Sequence, residues 1–271
     1  MRLLILALAV LLGSPFAAVA APGVTLYAAG SLKGALGEAA TAYGQASGVE
    51  VATQFGPSGQ MRERIEAGEP ATLFASADFG HPKKLFDQGR ADPPVVFVRN
   101  RLCLLARPGV TVDPADPLSA MLDPALKLGT STPKNDPSGD YAWALFAKVE
   151  ALHPGARATL EGKALQLVGG KDAAVPPEGR SAVAWHMSEG RADLFLSYCT
   201  SGKVAADELP GLQALALPDQ LAVGADYGLV VLAGPPEQQA AAARFAMFIL
   251  SPEGQGILAR WGFLPVTAPS S

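Results

Sequence analysis

Short apolar runs alternate with amphipathic stretches along most of this 271-residue chain. The runs at 24–28, 49–55, 72–76, 95–98, 101–106, 126–130, 164–168, 193–198 and 227–232 have the length and content of strands. Between them, apolar positions recur every three or four residues. In 32–45 that spacing puts Leu32, Ala35, Leu36, Ala39, Ala40 and Tyr43 on one helical face. Segments 59–67 (Met61, Ile65), 139–152 (Tyr141, Ala142, Leu145, Phe146, Val149) and 181–190 (Ala182, Val183, Trp185, His186) repeat the pattern. Two helices, 236–250 and 252–261, are expected to close the chain, the second introduced by Ser251-Pro252-Glu253. Such alternation predicts an α/β architecture with parallel sheets covered on both faces. Ligands in such sheets lie at the carboxyl ends of the strands.

The stretch from Val95 to Ala106 is long for one strand, and its polar centre, Arg99-Asn100-Arg101, marks a crossing between two domains. A second crossing is expected near Gly224 to Tyr227, which would return the closing helices to the first domain. The alternative is one continuous doubly wound domain with two long strands. The pattern alone leaves both open.

The first twenty residues change the picture of where the chain works. Arg2, the apolar run Leu3 to Leu12 and Ala18-Val19-Ala20 have the pattern expected of a secretory signal peptide with its cleavage site. The run is too short to span a membrane, and no Cys follows it to carry a lipid. A soluble, exported, periplasmic protein is expected, with room in the mature chain for two domains. The net charge of −4, with scattered basic residues, argues against nucleic acid as a partner. In an oxidising compartment the two cysteines, Cys103 and Cys199, are expected to pair, a free thiol for a soft metal or arsenite being the alternative.

The candidate chemistry lies where strands run into helices. Ser31 follows Leu26-Tyr27-Ala28-Ala29-Gly30, Ser58 follows Phe55-Gly56-Pro57, and Ser138 sits in Asp136-Pro137-Ser138-Gly139-Asp140. Helix starts carry free N–H groups and the positive end of the helix dipole, and bind anions without Lys or Arg. Asp136 and Asp140 flank the third serine; they serve either the helix start itself or a cationic ligand. An enzyme is not expected: Gly56-Pro57-Ser58-Gly59 is no nucleophile elbow, and no G-x-G-x-x-G fingerprint occurs. His81, His153 and His186 show no ligand spacing with either Cys, so neither metal nor cofactor is expected.

The segments Leu26-Tyr27-Ala28-Ala29-Gly30-Ser31-Leu32, Ile65-Glu66-Ala67-Gly68, Ala71-Thr72-Leu73-Phe74-Ala75-Ser76-Ala77-Asp78 and Ser251-Pro252-Glu253-Gly254-Gln255 with Trp261-Gly262-Phe263 resemble periplasmic molybdate-binding proteins of ABC importers. The resemblance covers nearly the whole mature chain and is loosest over 131–192. It implies a type II periplasmic-binding-protein fold: two doubly wound α/β lobes joined by two crossover strands, here 21–99 with 226–271 and 100–225. It implies molybdate or tungstate held in the cleft by hydrogen bonds alone. Ser31 and Ser58 match the family's two serines, Ser138 and a position near Arg180 or Ser181 match two helix-start N–H donors, and Tyr198 matches a tyrosine hydroxyl. It further implies a monomer that docks on an inner-membrane permease. A periplasmic sensor feeding a receptor kinase would use the same cleft. In the implied fold the strand starting at Cys103 runs antiparallel beside the strand ending at Tyr198, which allows a Cys103–Cys199 disulfide. The stretch 169–180 is an insertion relative to the family. It either forms a solvated surface loop or brings Arg180 and Lys171 to the cleft, where a guanidinium would favour a small organic anion.

Overall fold

The computed structural model describes residues 23–266; the expected signal peptide, 1–20, lies outside them. Strand β1 (Val24–Ala29) is almost wholly buried and runs parallel to β2 (Val51–Gly56) and β3 (Leu73–Ser76). Helix α1 (Lys33–Ser47) buries Ala35, Leu36, Ala39, Ala40 and Tyr43, the face its spacing predicts. It stops at Gly48, whose φ of 73° provides the left-handed cap that other residues adopt at a cost. Helix α2 (Ser58–Glu66) turns Met61 and Ile65 inward, and α3 (Gly80–Asp87) packs beside it.

Strand β4 (Val95–Ala106) is continuous, where two runs were expected. Its first half pairs with β9 (Gly224–Val231) and its second half with β7 (Leu194–Tyr198) and β8 (Gln213–Ala216). One strand therefore serves both sheets, and its polar centre lies where it leaves one for the other. Arg99 Nε reaches Asp226 on β9 at 2.7 Å. Beyond β4 come α4 (Pro117–Leu122), β5 (Leu128–Ser131), α5 (Pro137–Leu152), α6 (Ala156–Lys163), β6 (Leu165–Val168), α7 (Ala182–Ser188) and α8 (Cys199–Glu208). The chain returns through β9 to α9 (Pro236–Leu250), α10 (Pro252–Arg260) and the short β10 (Leu264–Pro265).

The strand order is β2-β1-β3-β9-β4-β7-β5-β6, with β8 and β10 also on β4. Pairing is parallel for β1–β2, β1–β3, β5–β6 and β5–β7. The parallel sheets expected from the alternation hold only in part: β9 is antiparallel to β3 and β4, and β4 is antiparallel to β7, the last as the resemblance implied. The reason is the traffic between lobes, since β4 carries the chain out of the first lobe and β9 carries it back.

Each lobe has its own core. Phe97, Tyr227, Phe245, Ile249 and Leu258 join β1 and α1 residues in the first, which places the closing helices on the first lobe. Leu104, Leu145, Phe146 and Leu194 belong to the second. Burial of each such side chain contributes about 1.5–3 kcal/mol. Register pairs Leu102 with Tyr198, and Cys103 and Cys199 form a disulfide with Cα atoms 4.9 Å apart. Among the described residues no helix is long and apolar enough to cross a membrane.

Candidate functional site

The lobes meet across the start of α2. Gly59 donates its N–H to the Asn135 carbonyl at 3.1 Å, and Gln60 Nε2 donates to the Gly169 carbonyl at 3.1 Å. Gly59 has no room for a side chain: a Cβ there would lie 2.8 Å from the Lys134 carbonyl oxygen. Beside this contact is a cavity of about 460 Å³, lined by Ser31, Ser58, Ser138, Arg180 and Tyr198 among others. All five residues singled out in the sequence therefore reach one cavity, from both lobes.

On the first lobe, β1 ends at Ala29 and a single 3-10 turn, Gly30–Leu32, presents Ser31. Its Oγ lies 3.1 Å from the Tyr227 hydroxyl. Strand β2 ends at Gly56, extended Pro57 follows, and α2 begins at Ser58. Ser58 is 1% exposed, and its hydroxyl accepts the Ala77 N–H at 3.1 Å. A hydroxyl that accepts one bond still has a proton to donate. Neither Ala29 nor Pro57 has a polar side chain to cap its helix.

On the second lobe the helix starts are already occupied. Asp136 caps α5, with Oδ1 accepting the Ser138 N–H at 3.0 Å. The Ser138 N–H expected to face a ligand is thus held by the chain's own carboxylate. The Ser138 hydroxyl, 3% exposed, has no partner among the described residues. Ser181 caps α7 with its side chain, and its N–H goes to Glu208 Oε1 at 2.6 Å. The other Glu208 oxygen accepts from Arg180 Nε at 2.9 Å. Arg180 is thus at the cavity's edge, half exposed and paired. Lys171 is exposed on the inserted loop.

Burial pushes the Asp136 carboxyl up from 3.8 to about 6, and neighbouring Asp140 adds to the rise, against the Ser138 N–H and the Ser131 hydroxyl. Asp140, raised chiefly by burial, accepts the Lys134 N–H at 2.9 Å. Tyr198, 2% exposed, ends β7 and donates to the Ala77 carbonyl at 3.4 Å. Burial raises Tyr198 and Tyr227 far above the ordinary phenol range, so both stay neutral.

Sequence reasoning missed the polar chain beneath this cavity. Asn100 Nδ2 donates to Thr200 Oγ1 at 2.8 Å and to the Tyr227 hydroxyl at 3.1 Å, and Tyr227 in turn meets Ser31. Its only signal was the polar centre of β4. The chain links both long strands to the first serine, so the place where the lobes join also holds Ser31.

The profile of the bacterial extracellular solute-binding proteins matches residues 24–264. The chain belongs to that family. Its members are the ligand-carrying partners of ABC importers. An uncharacterized protein of Pasteurella multocida, PM1146, is 37% identical over 219 residues, 80% of this chain and 88% of that protein. The molybdate-binding protein ModA of Rhodobacter capsulatus is 29% identical over 264 residues, 95% of this chain and 94% of that one. The periplasmic molybdate-binding protein of Azotobacter vinelandii has the same fold, with a TM-score of 0.71 at 21% identity, covering 91% of this chain and 100% of its own. The family member is ModA-like, with the type II periplasmic-binding-protein fold its motifs implied.

Proposed function

We propose that this protein is the periplasmic receptor of an ABC importer, and that its ligand is a tetrahedral dianion, molybdate or tungstate. Lobes 21–99 with 226–271 and 100–225 would close on it, and the monomeric closed form would dock on the permease, without catalysis. The observation that carries this reading is the meeting of Ser31, Ser58 and Ser138 from three helix starts in one interlobe cavity. Hydroxyl donors on an ionised oxygen make charge-assisted bonds. A buried dianion needs such donors on its oxygens, or desolvation makes binding unfavourable. Tyr198 supplies a further hydroxyl, and Arg180 stands at the edge as the partner of Glu208. Neutral donors select against protonated oxyanions, which bring a donor where the site already offers one. Only the closed state presents both lobes' groups, so the ligand stabilises closure.

One observation favours a second reading. The cavity of about 460 Å³ exceeds the volume of a tetraoxo anion several-fold, which leaves space for an organic anion carrying an oxyanion group. Isothermal titration of the ligand-stripped mature protein decides between them. Molybdate and tungstate are expected to bind tightly, with sulfate and phosphate far weaker. Silence from all four oxyanions would overturn the first reading and leave the second.

A further inference from the structure

We propose that Asp136 sets the specificity of this cleft: its carboxyl group holds the first α5 donor and meets a bare oxyanion as a neutral, hydrogen-bond-donating acid. The inference rests on the ligand reading above.

The geometry is what points there. Asp136 lines the cavity, and its Oδ1 sits 3.0 Å from the Ser138 N–H, where an anion's oxygen would sit. Beside it the Ser138 hydroxyl is buried and has no partner among the described residues, and Ser138 lines the same cavity. Glu208 occupies the Ser181 N–H in the same manner, but its charge is met by Arg180. Asp136 has no cation within salt-bridge distance among the described residues. Among the described residues, the titratable groups that act on it or feel it are Asp140 on α5 and Tyr198 at the end of β7, while Lys33 from α1 and the Arg180–Glu208 pair line the same cavity.

An ionised Asp136 beside a dianion would put two unscreened like charges in contact in a partly dry site. One proton between them resolves the conflict, and the same proton makes a donor of the carboxyl group. The value of about 6 shows that this proton is within easy reach at neutral pH. A bare dianion must therefore bring a proton from the buffer onto a carboxyl oxygen of Asp136, with no bond in the anion made or broken. An oxyanion that carries its own hydrogen needs no such uptake, but it presents one acceptor fewer to the site's hydroxyl donors. Asp136 thus couples ligand choice to proton count.

The test is titration with molybdate at pH values from 5.5 to 8.5, each in two buffers of different ionisation enthalpy. The expected result is uptake of close to one proton per molybdate above pH 7, and an affinity that falls about tenfold per pH unit there. Asp136→Asn keeps a side chain suited to a helix cap. In that variant uptake should vanish, the pH profile should flatten and binding at pH 8 should tighten. Asp140→Asn should keep the wild-type slope. Molybdate binding without proton uptake, or a slope that survives in D136N, would overturn the inference while leaving the ligand reading intact. Absence of molybdate binding by the wild type and D136N at every pH would overturn both.

Discussion

The two lobes bring the same device to one cavity and leave it in opposite states. On the first lobe, the residues ahead of the helical turns are Ala29 and Pro57, which have nothing to cap with. On the second, the caps are Asp136 and Ser181, and the chain's own carboxylates, Asp136 and Glu208, hold the N–H groups. A polar cap stabilises a helix by about 0.5–2 kcal/mol, but it also competes with any anion for the donors it satisfies. A helix start serves a ligand well when its cap residue is mute. The first lobe therefore offers hydroxyls ready to donate, whereas the second must release a carboxylate cap or take up a proton before it can contribute.

The most forceful way to break this comparison is to loosen the second lobe alone. The Cys103–Cys199 disulfide ties β4 to the start of α8 across a separation of 96 residues. Replacing both cysteines with Ala should cost about 2–5 kcal/mol in urea denaturation, with hydrogen exchange showing β5 and β7 opening before β1 and β3. Next in size is Ser58→Ala. It removes a proposed ligand donor and leaves the Ala77 N–H without its acceptor, so molybdate affinity should fall by about 1–3 kcal/mol by titration. Ser31→Ala should fall in the same range, and unchanged affinity in both would remove the serines from the site.

The pH dependence of stability sharpens the contrast from the other side. The Asp136 carboxyl is raised from 3.8 to about 6 in the folded protein. Its contribution is fully present below pH 4 and is lost as pH rises to about 6, because the folded state holds the proton longer than the unfolded chain. The wild type should therefore lose about 1–3 kcal/mol relative to D136N across that window, as read by chemical denaturation at each pH. Pro57→Asp would give the first lobe the self-cap of the second. It is expected to weaken molybdate binding by about 1 kcal/mol while leaving the fold intact. Smallest is Arg180→Ala, since an exposed, paired guanidinium is worth at most about 1 kcal/mol. Affinity should change by less than about fivefold, and a larger loss would mean that Arg180 leaves Glu208 for the ligand.

Much of this molecule was legible in its sequence because the signals are local. The α1 face follows from spacing alone, and the serines stand out because strand and helix signals abut at Ser31 and Ser58. Helices α3, α4, α6 and α8 escaped notice for physical reasons. Helix α6 buries only Ala156 and Leu160, and α8 begins at Cys199 directly after the strand residue Tyr198, with no turn residue between. The occupied state of the second lobe was hidden more deeply. Glu208 lies 27 residues from the Ser181 N–H that it accepts, and Tyr227 lies 196 residues from Ser31. Such pairings exist only once the lobes are folded. By contrast, the Asp136 cap two residues from Ser138 was readable as helix-start chemistry, though not its cost to a ligand.

The most direct test of a cleft with one ready face and one self-capped face is a crystal structure of the molybdate complex phased on molybdenum's anomalous signal. The account predicts a single strong peak in the cavity, with the Ser31, Ser58 and Ser138 hydroxyls and one Asp136 carboxyl oxygen within hydrogen-bond distance of the anion. A peak outside the cavity, or an anion that contacts the first lobe's serines while Asp136 keeps its distance, would contradict it.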